Sequence, residues 1–75
     1  MREVKIGKIY QHFKGNQYLV LCMALHTETN EKMVIYQDIH DKEKIYARPY
    51  EMFISKVEKD RYPDVKQESR FEEHE

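Results

Sequence analysis

The stretch that decides the fold opens Tyr18-Leu19-Val20-Leu21-Cys22-Met23-Ala24-Leu25-His26, continues Thr27-Glu28-Thr29-Asn30-Glu31 and closes Lys32-Met33-Val34-Ile35-Tyr36-Gln37-Asp38-Ile39. Its first part is apolar on both parities, with Tyr18, Val20, Cys22 and Ala24 on one side and Leu19, Leu21, Met23 and Leu25 on the other. Such a run suits a central strand covered on both faces. A short buried helix is the rival. It is weakened by the turn Lys14-Gly15-Asn16 just before, whose Gly and Asn tolerate positive φ, and by the polar, Asn-containing segment just after, which reads as a hairpin loop. The last part alternates, with Met33, Ile35, Gln37 and Ile39 on one face and Val34, Tyr36 and Asp38 on the other. The pattern assigns the interior to the first set or to a mixture of the two.

Working outward, Met1 to Phe13 reads as a first strand with Val4, Ile6, Ile9 and Phe13 as its apolar positions, interrupted at Gly7, where a bulge would bend the sheet. On the other side, Asp41-Lys42-Glu43-Lys44 is a charged turn. Ile45 to Arg48 is a short fourth strand stopped by Pro49, which cannot donate to a ladder. Tyr50 to Phe53 reads as one helical turn, with Met52 and Phe53 plugging an end of the core, and Ile54 to Val57 as a fifth strand. Five short strands with tight turns and one helical turn before the last strand predict a small, mainly β, five-stranded antiparallel barrel of the SH3-like type over residues 1–57. Residues 58–75 lose periodicity and are expected to form a charged, mobile C-terminal extension.

With 75 residues, the chain is one domain with a thin core, because a domain of this size buries only about 60% of the surface its unfolded chain exposes. Its 13 basic and 14 acidic residues leave a net charge of -1, which argues against a general nucleic-acid or anionic-membrane binder. The single Cys22 cannot close an internal disulfide, and the opening residues do not read as a secretory signal, so a cytoplasmic setting is expected. The longest apolar run, Leu19 to Leu25, is too short to span a bilayer as a helix.

The segments Tyr10, His12-Phe13-Lys14-Gly15, Tyr18, Val20-Leu21, Ala24, His26-Thr27-Glu28-Thr29, Glu31, Val34-Ile35-Tyr36, Arg48-Pro49 and Met52-Phe53 together resemble a bacterial family known as domain of unknown function 1653. The resemblance runs from Tyr10 to Phe53 and implies an SH3-like barrel and no activity. His40, Cys22 and Ala47 depart from the family's pattern, standing where Tyr, Gly and a larger apolar residue are usual.

His12, His26 and His40 invite a metal, since imidazole suits transition ions, but their wide and even spacing lacks the close ligand pair of a zinc site, and neither metal nor cofactor is expected. Cys22 and His26 would lie about 13 Å apart along a strand, too far for an activated thiol. Cys22 therefore reads as a small core residue. The hairpin His26-Thr27-Glu28-Thr29 gathers a titratable ring, hydroxyls and a carboxylate, which either cap the turn or form a recognition loop. Arg48, held by Pro49, either pairs with a carboxylate of the fold or binds a carboxylate or phosphate ligand bidentately. Tyr10, Tyr18, Tyr36, Tyr46 and Tyr50 are more tyrosines than so small a core can hide, since each buried hydroxyl needs a partner, so some of them are expected on the surface.

The functional expectation is a non-enzymatic module that binds an extended peptide or protein partner through exposed tyrosines. His12, Lys14, His26, Glu28, Tyr36, Tyr46, Arg48 and Tyr50 are its candidate site residues. Two alternatives stand beside it. One is single-stranded RNA or DNA binding through Lys8, Lys14, Lys42, Lys44 and Arg48 with tyrosine stacking. The other is a small hydrolase-like activity using His26 and Glu28. The binding reading requires Arg48, His26 and at least two tyrosines to line one concavity.

Overall fold

The computed structural model describes residues 3–74. Met1 and Arg2, where the first strand was expected to begin, and Glu75 lie outside the described residues. Five antiparallel strands form one sheet: β1 Ile9–His12, β2 Gln17–Leu25, β3 Lys32–Asp38, β4 Ile45–Pro49 and, after the helical turn α1 Tyr50–Phe53, β5 Phe71–Glu73. The strand order is β4-β3-β2-β1-β5. Among the described residues, no helix is long and apolar enough to cross a membrane.

The turns follow the local chemistry. Gly15 takes φ 106° between β1 and β2, a conformation open to glycine at little cost. Asn30 takes φ 61° in the β2–β3 loop, where the Glu31 N–H donates to Thr29 Oγ1. Between β3 and β4, Asp38 and Asp41 accept the N–H groups of His40 and Glu43 on their side-chain oxygens, two self-capping turns of the kind aspartate favours. Pro49 ends β4 and opens α1.

A bulge sets which residues enter the core. Val20 lies opposite Tyr36 and Cys22 opposite Ile35, so Leu21 is one residue too many for the ladder. The extra residue reverses the parity of β2 beyond it: Tyr18 and Val20 face the core before the bulge, and Met23 packs against it after. Two expectations are corrected as a result. Cys22 is exposed rather than a core residue, and β2 is not covered along both faces, since Ala24 and Leu25 are exposed as well. On β3 the interior takes Val34 and Tyr36, the opposite set from the one containing Met33 and Ile35, because Val34 lies opposite Met23 and Tyr36 opposite Val20, both on the core face of β2.

The fifth strand is also corrected. Residues 54–57 form no strand; Lys56 makes an isolated bridge to Ser69. β5 comes instead from the stretch expected to be an extension and pairs with β1 through Tyr10↔Glu73, Gln11↔Glu72 and His12↔Phe71. Phe71 is the reason: it is buried and stacks on the buried Phe53 of α1 with ring centroids 4.1 Å apart. One further large apolar ring in so thin a core outweighs the cost of ordering the chain that carries it. Phe53 plugs the core as expected, whereas Met52 is exposed. The sheet does not close, for β4 and β5 are its two edges. The core of Tyr10, Val20, Val34, Tyr36, Phe53 and Phe71 lies on one face of it, with Val57 also buried.

Candidate functional site

Where the end of β1, the start of β2, the end of β4 and the chain from Val57 to Phe71 meet, they leave a concavity of about 320 Å³. Its aromatic lining comes from Phe13, Tyr18, Tyr36, Tyr62 and Phe71, and its charged lining from Lys14, Arg48, Arg61 and Arg70 against the single carboxylate Glu58. The chain as a whole carries -1, so this is a local reversal of sign.

Each cation is placed by a distinct contact. Arg48 donates from Nε to the Tyr36 hydroxyl at 3.2 Å, and its guanidinium carbon lies 5.5 Å from the centre of the Phe71 ring. Arg70 donates from Nε to Ser55 Oγ at 3.1 Å. Its carbonyl accepts the Phe13 N–H at 3.0 Å, tying the β5 side of the pocket to β1. Lys14 Nζ lies 5.9 Å from both the Phe13 and the Tyr62 ring centres, and those rings are 4.9 Å apart. Arg61 lies 5.8 Å from the Tyr62 ring. Among the described residues the salt bridges are Lys5–Glu73 and Lys44–Asp41, neither of which involves a pocket cation. Four positive charges thus converge without an ion-pair partner among the described residues.

His12 registers that convergence. Its pKa is pushed down to about 4, first by burial and then by the charges of Arg48, Arg70 and Lys14. The ring is therefore neutral at pH 7. Its Nδ1 accepts the Lys14 N–H at 3.1 Å, which leaves the proton on Nε2. The ring is held between Phe13 at 4.5 Å and Phe71 at 4.8 Å.

Of the sequence-derived candidates, the structure brings His12, Lys14, Tyr36 and Arg48 together. His26, Glu28, Tyr46 and Tyr50 do not line this pocket. His26 accepts the Glu28 and Thr29 N–H groups on Nδ1, so the polar hairpin is occupied in holding its own turn. Tyr50 accepts the Val4 N–H at 3.2 Å and lies beneath Lys32 Nζ at 4.4 Å. Tyr46 is partly exposed on the β4 edge beside Tyr36 and Tyr18. The arrangement that the binding reading requires is met in part: Arg48 shares the concavity with Tyr18, Tyr36 and Tyr62, but His26 does not line it. Lys8, Lys42 and Lys44 also stand apart from it, and among the described residues Arg48 makes no ion pair with a carboxylate of the fold, the first of its two expected roles.

Sequence reasoning missed Arg61, Tyr62, Arg70 and Phe71. The net acidity of residues 56–75 concealed two arginines, each directly followed by an aromatic residue, Arg61-Tyr62 and Arg70-Phe71. That repeated pair was the available signal.

Residues 8–73 match the model of the family described as protein of unknown function (DUF1653). The chain belongs to this family. The match extends beyond Phe53 and takes in β5 and the whole pocket lining. Neither a curated protein nor a solved structure matches the chain.

Proposed function

We propose that this chain is a small non-enzymatic binding module of the bacterial cytoplasm, built on an open variant of the SH3-like barrel, which captures an acidic group of an extended protein partner in the Arg48–Arg70 pocket. The observation that carries the reading is the convergence of Lys14, Arg48, Arg61 and Arg70 on one concavity with Glu58 as its single carboxylate. Unpaired cations held close together repel one another and lower the stability of the free protein. An anionic ligand relieves that repulsion on binding, and arginine forks match carboxylate and phosphate oxygens two at a time. The exposed thiol of Cys22 fits a reducing compartment.

Single-stranded nucleic acid is the second reading, favoured by the aromatic rings beside the cations. A protein partner is preferred because the cations form one pocket and not a track: Lys8, Lys42 and Lys44, which a strand's backbone would follow, lie outside it. Amide chemical-shift titration with a short Asp/Glu-rich peptide, its Asn/Gln counterpart and an oligothymidylate separates the readings. The acidic peptide is expected to shift His12, Tyr18 and Arg70, and the neutral peptide to leave them in place. Silence at these residues with the acidic peptide overturns the proposal. Tighter binding of the oligonucleotide, with a steep loss of affinity in salt, transfers the site to nucleic acid.

A further inference from the structure

We infer that the group this pocket takes is a phosphate monoester, carried on a side chain of the protein partner. The inference rests on the reading of the pocket as a site for an acidic group and narrows it.

Charge is the first argument. A carboxylate brings one negative charge to four unpaired cations, whereas a phosphate monoester brings about -1.5 to -2 at pH 7 and three strong acceptor oxygens. Among the common side-chain anions it comes nearest to neutralising Lys14, Arg48, Arg61 and Arg70. Donor geometry is the second. Three of the four cations are arginines, whose planar forks present paired N–H groups, and arginine clusters are a recurrent solution for phosphorylated segments. Arg48 and Arg70 are each fixed through Nε, by Tyr36 and Ser55. Their terminal NH₂ groups remain the donors to offer, with the side chains already ordered, so a ligand finds much of the entropic cost of organising them met in advance. Space is the third. A concavity of about 320 Å³ lies at the lower end of the range, about 300 to 1,000 Å³, that small-molecule sites occupy. It has room for a phosphate and the stem that carries it. The rings of Phe13 and Tyr62, which flank Lys14, supply an apolar wall for that stem.

Three peptides identical except for a central phosphoserine, glutamate or serine, together with inorganic phosphate, test the inference by amide-shift titration and calorimetry on the full chain. The phosphoserine peptide is expected to bind at least about tenfold more tightly than the glutamate peptide, the difference that one additional charge-assisted hydrogen bond supplies. Arg61→Gln, which removes a cation whose side chain has no hydrogen bond among the described residues, is expected to weaken the phosphoserine peptide about tenfold and, by relieving repulsion among the cations, to leave the melting temperature of the free protein level or slightly raised. Lys42→Gln, on the β3–β4 turn, is expected to change neither. Equal affinity for the glutamate and phosphoserine peptides overturns the phosphate inference and leaves the acidic-group reading standing. Absence of binding by both peptides and by phosphate overturns the two together. Inorganic phosphate that binds as tightly as the phosphopeptide supports the phosphate chemistry and overturns the partner-borne source.

Discussion

Acidification from pH 7 to pH 4 tests the burial of His12, and the cationic field around it, through the stability of the fold. In the unfolded chain His12 titrates at its ordinary value of 6.5, and in the native structure at about 4. A base with a lowered native pKa takes up its proton in the unfolded state first. Its contribution to stability is therefore complete above pH 6.5, declines as pH falls from 6.5 to about 4, and is level below that. At about 1.36 kcal/mol for each pH unit, the gap corresponds to about 3 kcal/mol for a fully enclosed ring. His12 is half-buried, and solvent screening of Arg48, Arg70 and Lys14 reduces the expected loss to about 1–2 kcal/mol. Urea unfolding at pH 7.0, 5.5 and 4.0 of the wild type and of His12→Gln measures it, because the difference between the two proteins isolates this residue from the carboxylates that titrate nearby. The wild type should lose its advantage over the variant progressively across that window. A difference independent of pH, or a His12 ring signal titrating at 6.5 by NMR, refutes the placement of a half-buried His12 beside the pocket cations.

Phe71→Ala removes a buried ring stacked on Phe53 and should cost about 3–5 kcal/mol, much of the stability of a domain this small; a loss below 1 kcal/mol in denaturant unfolding would place β5 outside the core. Tyr36→Phe deletes the hydroxyl that accepts from Arg48 and should cost about 1 kcal/mol. The same substitution should broaden the Arg48 side-chain signals. Cys22 should be alkylated by iodoacetamide in the native protein at neutral pH with the melting temperature nearly unchanged, whereas protection until unfolding would return it to the interior. Gly15→Ala forces a side chain into φ 106° and should destabilise by about 1 kcal/mol or more, read as a lower urea midpoint.

The strands β2 to β4 and the turn α1 were legible because each is bounded by residues with strong local preferences: Gly15, the Thr27–Glu31 loop, the charged turn from Asp41 to Lys44, and Pro49. What escaped was set by contacts distant in sequence. The bulge at Leu21 leaves no mark in an apolar run, since leucine fits either side of it, so the outward turn of Cys22 and the choice of Val34 over Met33 could not be read in advance. Residues 58–75 look polar and aperiodic because a three-residue strand has too few positions to show alternation, and the value of Phe71 is apparent only beside Phe53. For the same reason half of the pocket was legible: His12, Tyr36 and Arg48 stand on regular strands and Lys14 in the turn that Gly15 marks, whereas Arg61 and Arg70 arrive on irregular chain. The tyrosine surplus was divided differently from the expectation, since Tyr10 and Tyr36 are buried with their hydroxyls engaged by the Lys5 N–H and by Arg48.

β5 is three residues long and lies at the edge of the sheet, held to the core chiefly by Phe71, so a local opening of β5 that leaves β1 to β4 paired must overcome that one anchor. Its release would carry Arg70 and Phe71 out of the site together and loosen the segment that holds Arg61 and Tyr62. An occupant of the pocket therefore works as a latch. Binding must lower the frequency of that opening by the factor 1 + [L]/Kd, so amide hydrogens of β5 and of its partner β1 should exchange more slowly with solvent when the pocket is filled, while those of the β3–β4 pair keep their rates. A protein with no moving lid would thus couple ligand capture to the closing of its own sheet edge.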